Sequence, residues 1–122
     1  MAEEIVPDRS GHIEIGERRI WWEYHGDGER EAVCLLNGLA MHTKAWYGVM
    51  PMLSDSYDVL LYDFLGQGES SKPDEPYSIP DFARYLELIM DELGLDKIHV
   101  MGISYGGFPA LEIGRLYQDR LH

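Results

Sequence analysis

Apolar residues fall two apart at the start of the chain, Ile13 with Ile15 and Ile20 with Trp22, on either side of Gly16, and Gly26-Asp27-Gly28 closes the segment. Period two marks strands with one face buried, so this stretch predicts a β-hairpin. Ala32 to Leu36 is an unbroken apolar run that ends at Asn37-Gly38, the pattern of a parallel strand covered on both faces. From about Thr43, Trp46, Tyr47, Met50 and Leu53 recur at helical spacing and predict a short helix that admits Pro51 only in its first turns. Val59-Leu60-Leu61-Tyr62, within Tyr57 to Phe64, predicts a second buried strand. Asp63 to Pro76, rich in Gly, Ser, Pro and acid, predicts a loop.

The clearest helical pattern opens at Ser78, a fitting N-cap, with Pro80 in the first turn and Asp81 at the positive helix end. Ile79, Phe82, Leu86, Ile89 and Leu93 follow on one stripe, and Gly94 can take the left-handed conformation that ends a helix. Lys97 to Ile103 predicts a third buried strand, and Ala110, Leu111, Ile113, Leu116 and Tyr117 a further helix. Strands alternating with helices predict an α/β chain built on a mostly parallel sheet. With no repeat, low-complexity tract or linker, all 122 residues belong to one domain.

Composition narrows the function classes. The chain is 45% hydrophobic and 11% aromatic, enough for a real core, and its formal charge of −12 denies it the basic face that nucleic acids or anionic membranes require. Its longest apolar stretches, such as Ala32 to Leu36 and Val49 to Leu53, fall far short of the roughly 20 residues of a membrane span. The acidic start Met1-Ala2-Glu3-Glu4 does not resemble a secretory signal, so the expected address is cytoplasmic. Cys34, the single cysteine, lies inside an apolar run and reads as a small buried hydrophobe. The acidic groups Glu29-Glu31 and Asp91-Glu92 read as solvated faces, because along the sequence no histidine or third carboxylate stands at ligand spacing around them. No metal and no organic cofactor are expected.

One segment carries chemistry. Gly102-Ile103-Ser104-Tyr105-Gly106 fits G-x-S-x-G, follows the apolar strand and opens a helix, the strand-to-helix setting that gives an otherwise weak pattern its meaning. Gly102 and Gly106 let two backbones approach closely, so that Ser104 is pushed out at the tip of the turn beside a helix N-terminus that favours negative charge. The bland alternative is a tight crossover in which Ser104 merely caps the helix. Tyr105 and Phe108 read as packing residues.

Three segments in this order resemble the N-terminal half of the α/β-hydrolase superfamily: Leu35-Leu36-Asn37-Gly38-Leu39, Asp63-Phe64-Leu65-Gly66-Gln67-Gly68-Glu69-Ser70, and residues 102–106. The resemblance covers the chain from the first hairpin onward. It implies strands in the order 1-2-4-3-5, the second antiparallel, with flanking helices and truncation before a sixth strand. It implies Ser104 as nucleophile and the backbone N–H groups of Leu39 and Tyr105 as the oxyanion hole. Asn37 stands where the family usually has His; it can still hydrogen-bond the loop, and it slightly favours an acyl-transferring relative. A serine rather than aspartate at the elbow argues against the dehalogenase and epoxide-hydrolase branches.

The family's triad runs Ser, acid, His along the chain, and after Ser104 only Glu112, Asp119 and His122 are candidates. Glu112 is two helical turns away, and His122 would begin the next parallel strand at the end of the sheet opposite the elbow. Neither completes a triad. His12, His25 and His99 read as surface or satisfied strand residues, His42 is a possible substrate contact, and Asp63 reads as a turn former. The expected activity is serine hydrolysis of an ester, thioester or related acyl bond through an acyl-enzyme, incomplete in these 122 residues alone. The alternatives are an acyltransferase of the same fold and a non-catalytic binding module. The expected partners are a small-molecule acyl substrate and either the missing C-terminal half or a second copy of the chain.

Overall fold

The computed structural model describes residues 5–74 and 78–122; the acidic start at residues 1–4 and the loop end at Pro76 lie outside the described residues. Strands β1 (Arg9–Ile15) and β2 (Arg18–His25) form the expected hairpin, with Gly16 at φ +62° in its turn. β3 (Ala32–Leu36), β4 (Asp58–Tyr62) and β5 (His99–Gly102) complete one five-stranded sheet in the order β1-β2-β4-β3-β5. β2 meets β4 antiparallel, while β3 runs parallel to both β4 and β5. Leu121 bridges Ile98 in parallel, so the chain turns onto the far side of β5 as a sixth strand would.

The residues read as one short helix split in two: a 3-10 turn at Thr43–Trp46, then the single turn α1 (Met50–Leu53) with Pro51 at its start. Proline has no N–H to donate to the preceding turn, so it opens a new helix there rather than continuing the old one. The helix α2 (Ile79–Leu93) has a full capping box, in which the Ser78 hydroxyl accepts from the Asp81 N–H and the Asp81 carboxylate accepts from the Ser78 N–H. Gly94 ends it at φ +72°. A 3-10 turn, Ser104–Gly106, leads into α3 (Gly107–Leu116).

Two cores follow from strand alternation. Cys34, Leu36, Leu60 and Tyr62 face α2 and α3, meeting Phe82, Leu86, Ile89, Met90 and Ile113. Val33, Leu35, Val59 and Leu61 face the Thr43–Leu53 segment, where Trp46 and Met50 cover them. Cys34 is a fully buried free thiol, and burial pushes its pKa up, away from the reactive thiolate. Phe108 departs from its packing role: it touches the Tyr105 ring but stays 56% exposed.

Candidate active site

Ser104 sits at φ +52°, in the left-handed region that a side chain reaches only with strain, and is exposed at the turn between β5 and α3. The flanking glycines make the turn possible. A Cβ on Gly102 would lie 2.2 Å from the Gly106 carbonyl oxygen, and a Cβ on Gly106 would lie 2.3 Å from the Leu36 carbonyl oxygen. No side chain fits at either point, so strand, serine and helix pass one another at backbone distance.

The loop after β3 forms the other wall. A Cβ on Gly38 would lie 3.6 Å from the Ser104 Cβ and 3.3 Å from the Ile103 carbonyl oxygen, which places Gly38-Leu39 directly beside the serine. The Leu39 side chain is 72% exposed, and among the described residues no group accepts from its N–H. Tyr105 follows the serine in the first turn of helix, where amide N–H groups lack intrahelical acceptors. Ala40, at φ +59°, is the one other non-glycine residue at positive φ among those described. The two strained residues of the described chain thus lie on the two loops that meet at Gly38, the placement expected where geometry serves a site.

Asn37, fully buried beneath the loop, shapes it. Its Oδ1 accepts from Trp46 Nε1 at 2.7 Å and its Nδ2 donates to Gln67 Oε1 at 3.0 Å, while Gln67 Nε2 donates to the Gly38 carbonyl at 2.9 Å. Asp63 ties the next loop: Oδ1 accepts from the Thr43 N–H at 2.9 Å and Oδ2 from the Glu69 N–H at 3.0 Å. A Cβ on Gly68, at φ +44°, would collide with that carboxylate at 2.1 Å. Burial raises the Asp63 pKa despite these donors. Asp63 is therefore the turn former the sequence suggested, and Asn37 hydrogen-bonds the loop as expected of it.

The pattern of residues missed Glu23. Buried on β2, its carboxylate accepts from Trp21 Nε1 at 2.9 Å, His25 Nε2 at 3.1 Å, and the hydroxyls of Thr43 and Tyr47. Burial works to raise its pKa, but the side-chain donors outweigh it and hold the carboxyl at about 2. An acid amid the aromatic run Trp21-Trp22-Glu23-Tyr24 was the available signal. His42 is exposed and lines a cleft of about 460 Å³ with Trp21, Glu23, Thr43, Lys44 and Asp63, a cleft in which Ser104 takes no part. Glu112 pairs with Arg115 on α3, and among the described residues no histidine or carboxylate hydrogen-bonds the Ser104 hydroxyl.

Glu31 is exposed, as the solvated-face reading expects, but parallel pairing brings His99 and His122 against it, which linear spacing could not show.

Residues 31–122 match the model of the alpha/beta hydrolase fold family. A Caulobacter segnis protein provisionally named carbamate hydrolase RutD is 38% identical over 106 residues, covering 84% of this chain and 40% of its own length. Among solved structures, MGS-M2, an alpha/beta hydrolase enzyme from a Medee basin deep-sea metagenome library, is 30% identical with a TM-score of 0.84, over 91% of this chain and 41% of that one. Est816, described as an N-acyl homoserine lactone degrading enzyme, is 26% identical with a TM-score of 0.81, over 91% of this chain and 42% of that one. The chain thus spans about 40% of the length of such relatives. Among the described residues no helix is long and apolar enough to cross a membrane. With its strand order, its elbow and the matched model in agreement, the chain belongs to the alpha/beta hydrolase fold family.

Proposed function

We propose that this chain supplies the nucleophile and the oxyanion hole of a serine hydrolase that cleaves acyl bonds to oxygen, sulfur or nitrogen. The observation that carries the proposal is Ser104 held exposed at φ +52° against the Gly38-Leu39 loop. The Ser104 Oγ attacks the acyl carbon as its proton passes to a base, and the carbonyl oxygen becomes an oxyanion that accepts from the Leu39 and Tyr105 N–H groups. Collapse expels the leaving group and leaves an acyl-serine, which water then hydrolyses. Donors fixed in advance by the Asn37-Gln67-Gly38 network lower the barrier because they need not reorganise as charge develops. The carbamate and the lactone in the relatives' names are both acyl-heteroatom bonds, which supports the substrate class.

The base and its orienting acid are assigned to the remainder of a relative-length protein, as further residues of the same chain or as a second polypeptide. The test is labelling by a fluorophosphonate probe in the protein of full relative length. Wild type should label, and Ser104→Ala should lose the label while keeping its circular dichroism and melting profile. Equal labelling of both proteins would remove Ser104 from the mechanism.

A further inference from the structure

The N-terminal ends of β3 and β5 and the bridge at Leu121 converge at the end of the sheet opposite Ser104. Glu31 immediately precedes β3, His99 is the first residue of β5, and His122 follows Leu121, which bridges to β5. Register puts all three side chains on one face. Val33 pairs with His99, so Glu31, two residues before Val33, shares the face of His99; Ile98 pairs with Leu121, so His122 shares it as well. The contacts agree with the register: Glu31 Oε1 lies 2.9 Å from His99 Nε2, and Glu31 Oε2 lies 3.6 Å from His122 Nδ1. The two imidazoles stack at 4.6 Å between centroids, and the Tyr57 ring meets His99 edge-on at 5.5 Å.

We propose that Glu31, His99 and His122 form a three-ligand site for a borderline divalent ion of the zinc class, clamping the starts of β3 and β5 to the segment that bridges at Leu121. One ligand atom from each residue can be chosen so that all lie within 4.8 Å of one another. Ligands about 2.0–2.1 Å from a tetrahedral ion stand about 3.3 Å apart, so small side-chain rotations bring these atoms into range. Two imidazoles and one carboxylate suit zinc, cobalt, nickel or copper, and are poor company for calcium or magnesium, which take oxygen ligands. Solvent reaches the cluster, since the side chains of Glu31, His99 and His122 are 59%, 36% and 27% exposed, so water can fill the fourth position. The site serves architecture rather than the serine chemistry. Five residues of extended chain, about 16 Å, separate His99 from Ser104.

The test uses the protein of full relative length without an affinity tag, stripped with a chelator and titrated with Zn²⁺ by calorimetry, alongside thermal melts with and without the ion. Wild type should bind one equivalent and melt at a higher temperature with zinc. Glu31→Gln, His99→Ala and His122→Ala should each weaken binding at least about tenfold and shrink the thermal shift. His12→Ala, on β1, should change neither readout, and circular dichroism of the metal-free variants reports whether each is folded. Glu31→Gln keeps the side chain's shape and serves as the decisive variant if a histidine substitution unfolds the chain. Unchanged affinity in Glu31→Gln and His122→Ala, or no zinc-dependent shift in wild type, would overturn the site and leave the cluster an ordinary surface ion pair.

Discussion

At the residue scale, two adjacent glycines make opposite demands. A single methyl on Gly106 would meet the Leu36 and Asn37 carbonyl oxygens at 2.3 and 2.8 Å, whereas one on Gly107 would meet nothing within 4 Å. Backbone carbonyls of a central strand cannot step aside as a flexible side chain can. Gly106→Ala should therefore destabilise the chain by about 2 kcal/mol or more. Gly107, at φ −64° in helical conformation, should gain roughly 0.5–1 kcal/mol from alanine, which restricts the unfolded chain. Urea titration of both variants checks the pair; equal and small effects would mean that strand and helix do not approach as described. Gly102, Ser104 and Gly106 were legible in the sequence because a five-residue spacing carries the geometry. Ala40 was not, because its strain at φ +59° arises from how the loop closes and leaves no mark in residue type.

At the element scale, β2 is tied to the 3-10 turn at Thr43–Trp46 by one carboxylate. The Glu23 pKa of about 2 lies below its ordinary value of 4.5, so it favours the folded state whenever the unfolded chain would also be ionised. That contribution is complete above about pH 4.5 and drains away as the pH falls through about 2. Asp63 has the opposite sign, since its raised pKa makes the folded state the better proton binder and softens the loss on acidification. Glu23→Gln should be less stable than wild type at neutral pH, and the gap in melting temperature should narrow as the pH falls from 4.5 towards 2. A gap independent of pH would show that Glu23 acts through shape rather than charge. The elements themselves were legible where one signal dominates. Ser78, Asp81 and Gly94 define α2 from both ends, and the apolar runs define β3 and β4. The split between the Thr43 turn and α1 was not, because the apolar spacing of Trp46, Tyr47, Met50 and Leu53 is continuous across it. Nor was the Glu31, His99 and His122 cluster, because register between strands 68 residues apart in sequence is a property of the sheet and not of either strand.

At the scale of the whole molecule, the two sheet faces are covered unequally. The face against α2 and α3 is closed by a continuous core, while on the other the Thr43–Leu53 segment covers β3 and β4 and stops short of Met101 on β5. Leu35 is fully buried, yet its partner Met101 on β5 is 55% exposed, and Ile103 beyond it is 49% exposed. On α3, Phe108, Leu111 and Leu116 are 56%, 75% and 42% exposed. The outer side of β5 is paired, among the described residues, only at the Ile98–Leu121 bridge, so open backbone donors and acceptors stand beside these apolar side chains. A strand edge in that state is a template for another chain, and each exposed apolar Å² that finds cover gains about 25 cal/mol. The 122-residue chain, studied alone, should therefore self-associate in a concentration-dependent way and bind a dye that reports exposed apolar surface. Met101→Glu with Leu111→Glu should reduce both effects, because a charge at the contact must be desolvated for association to occur. Sedimentation velocity over a concentration series checks it. A compact monomer with a cooperative melt and no dye binding would show that these residues close their own core, and would favour an independent module over one part of a larger hydrolase.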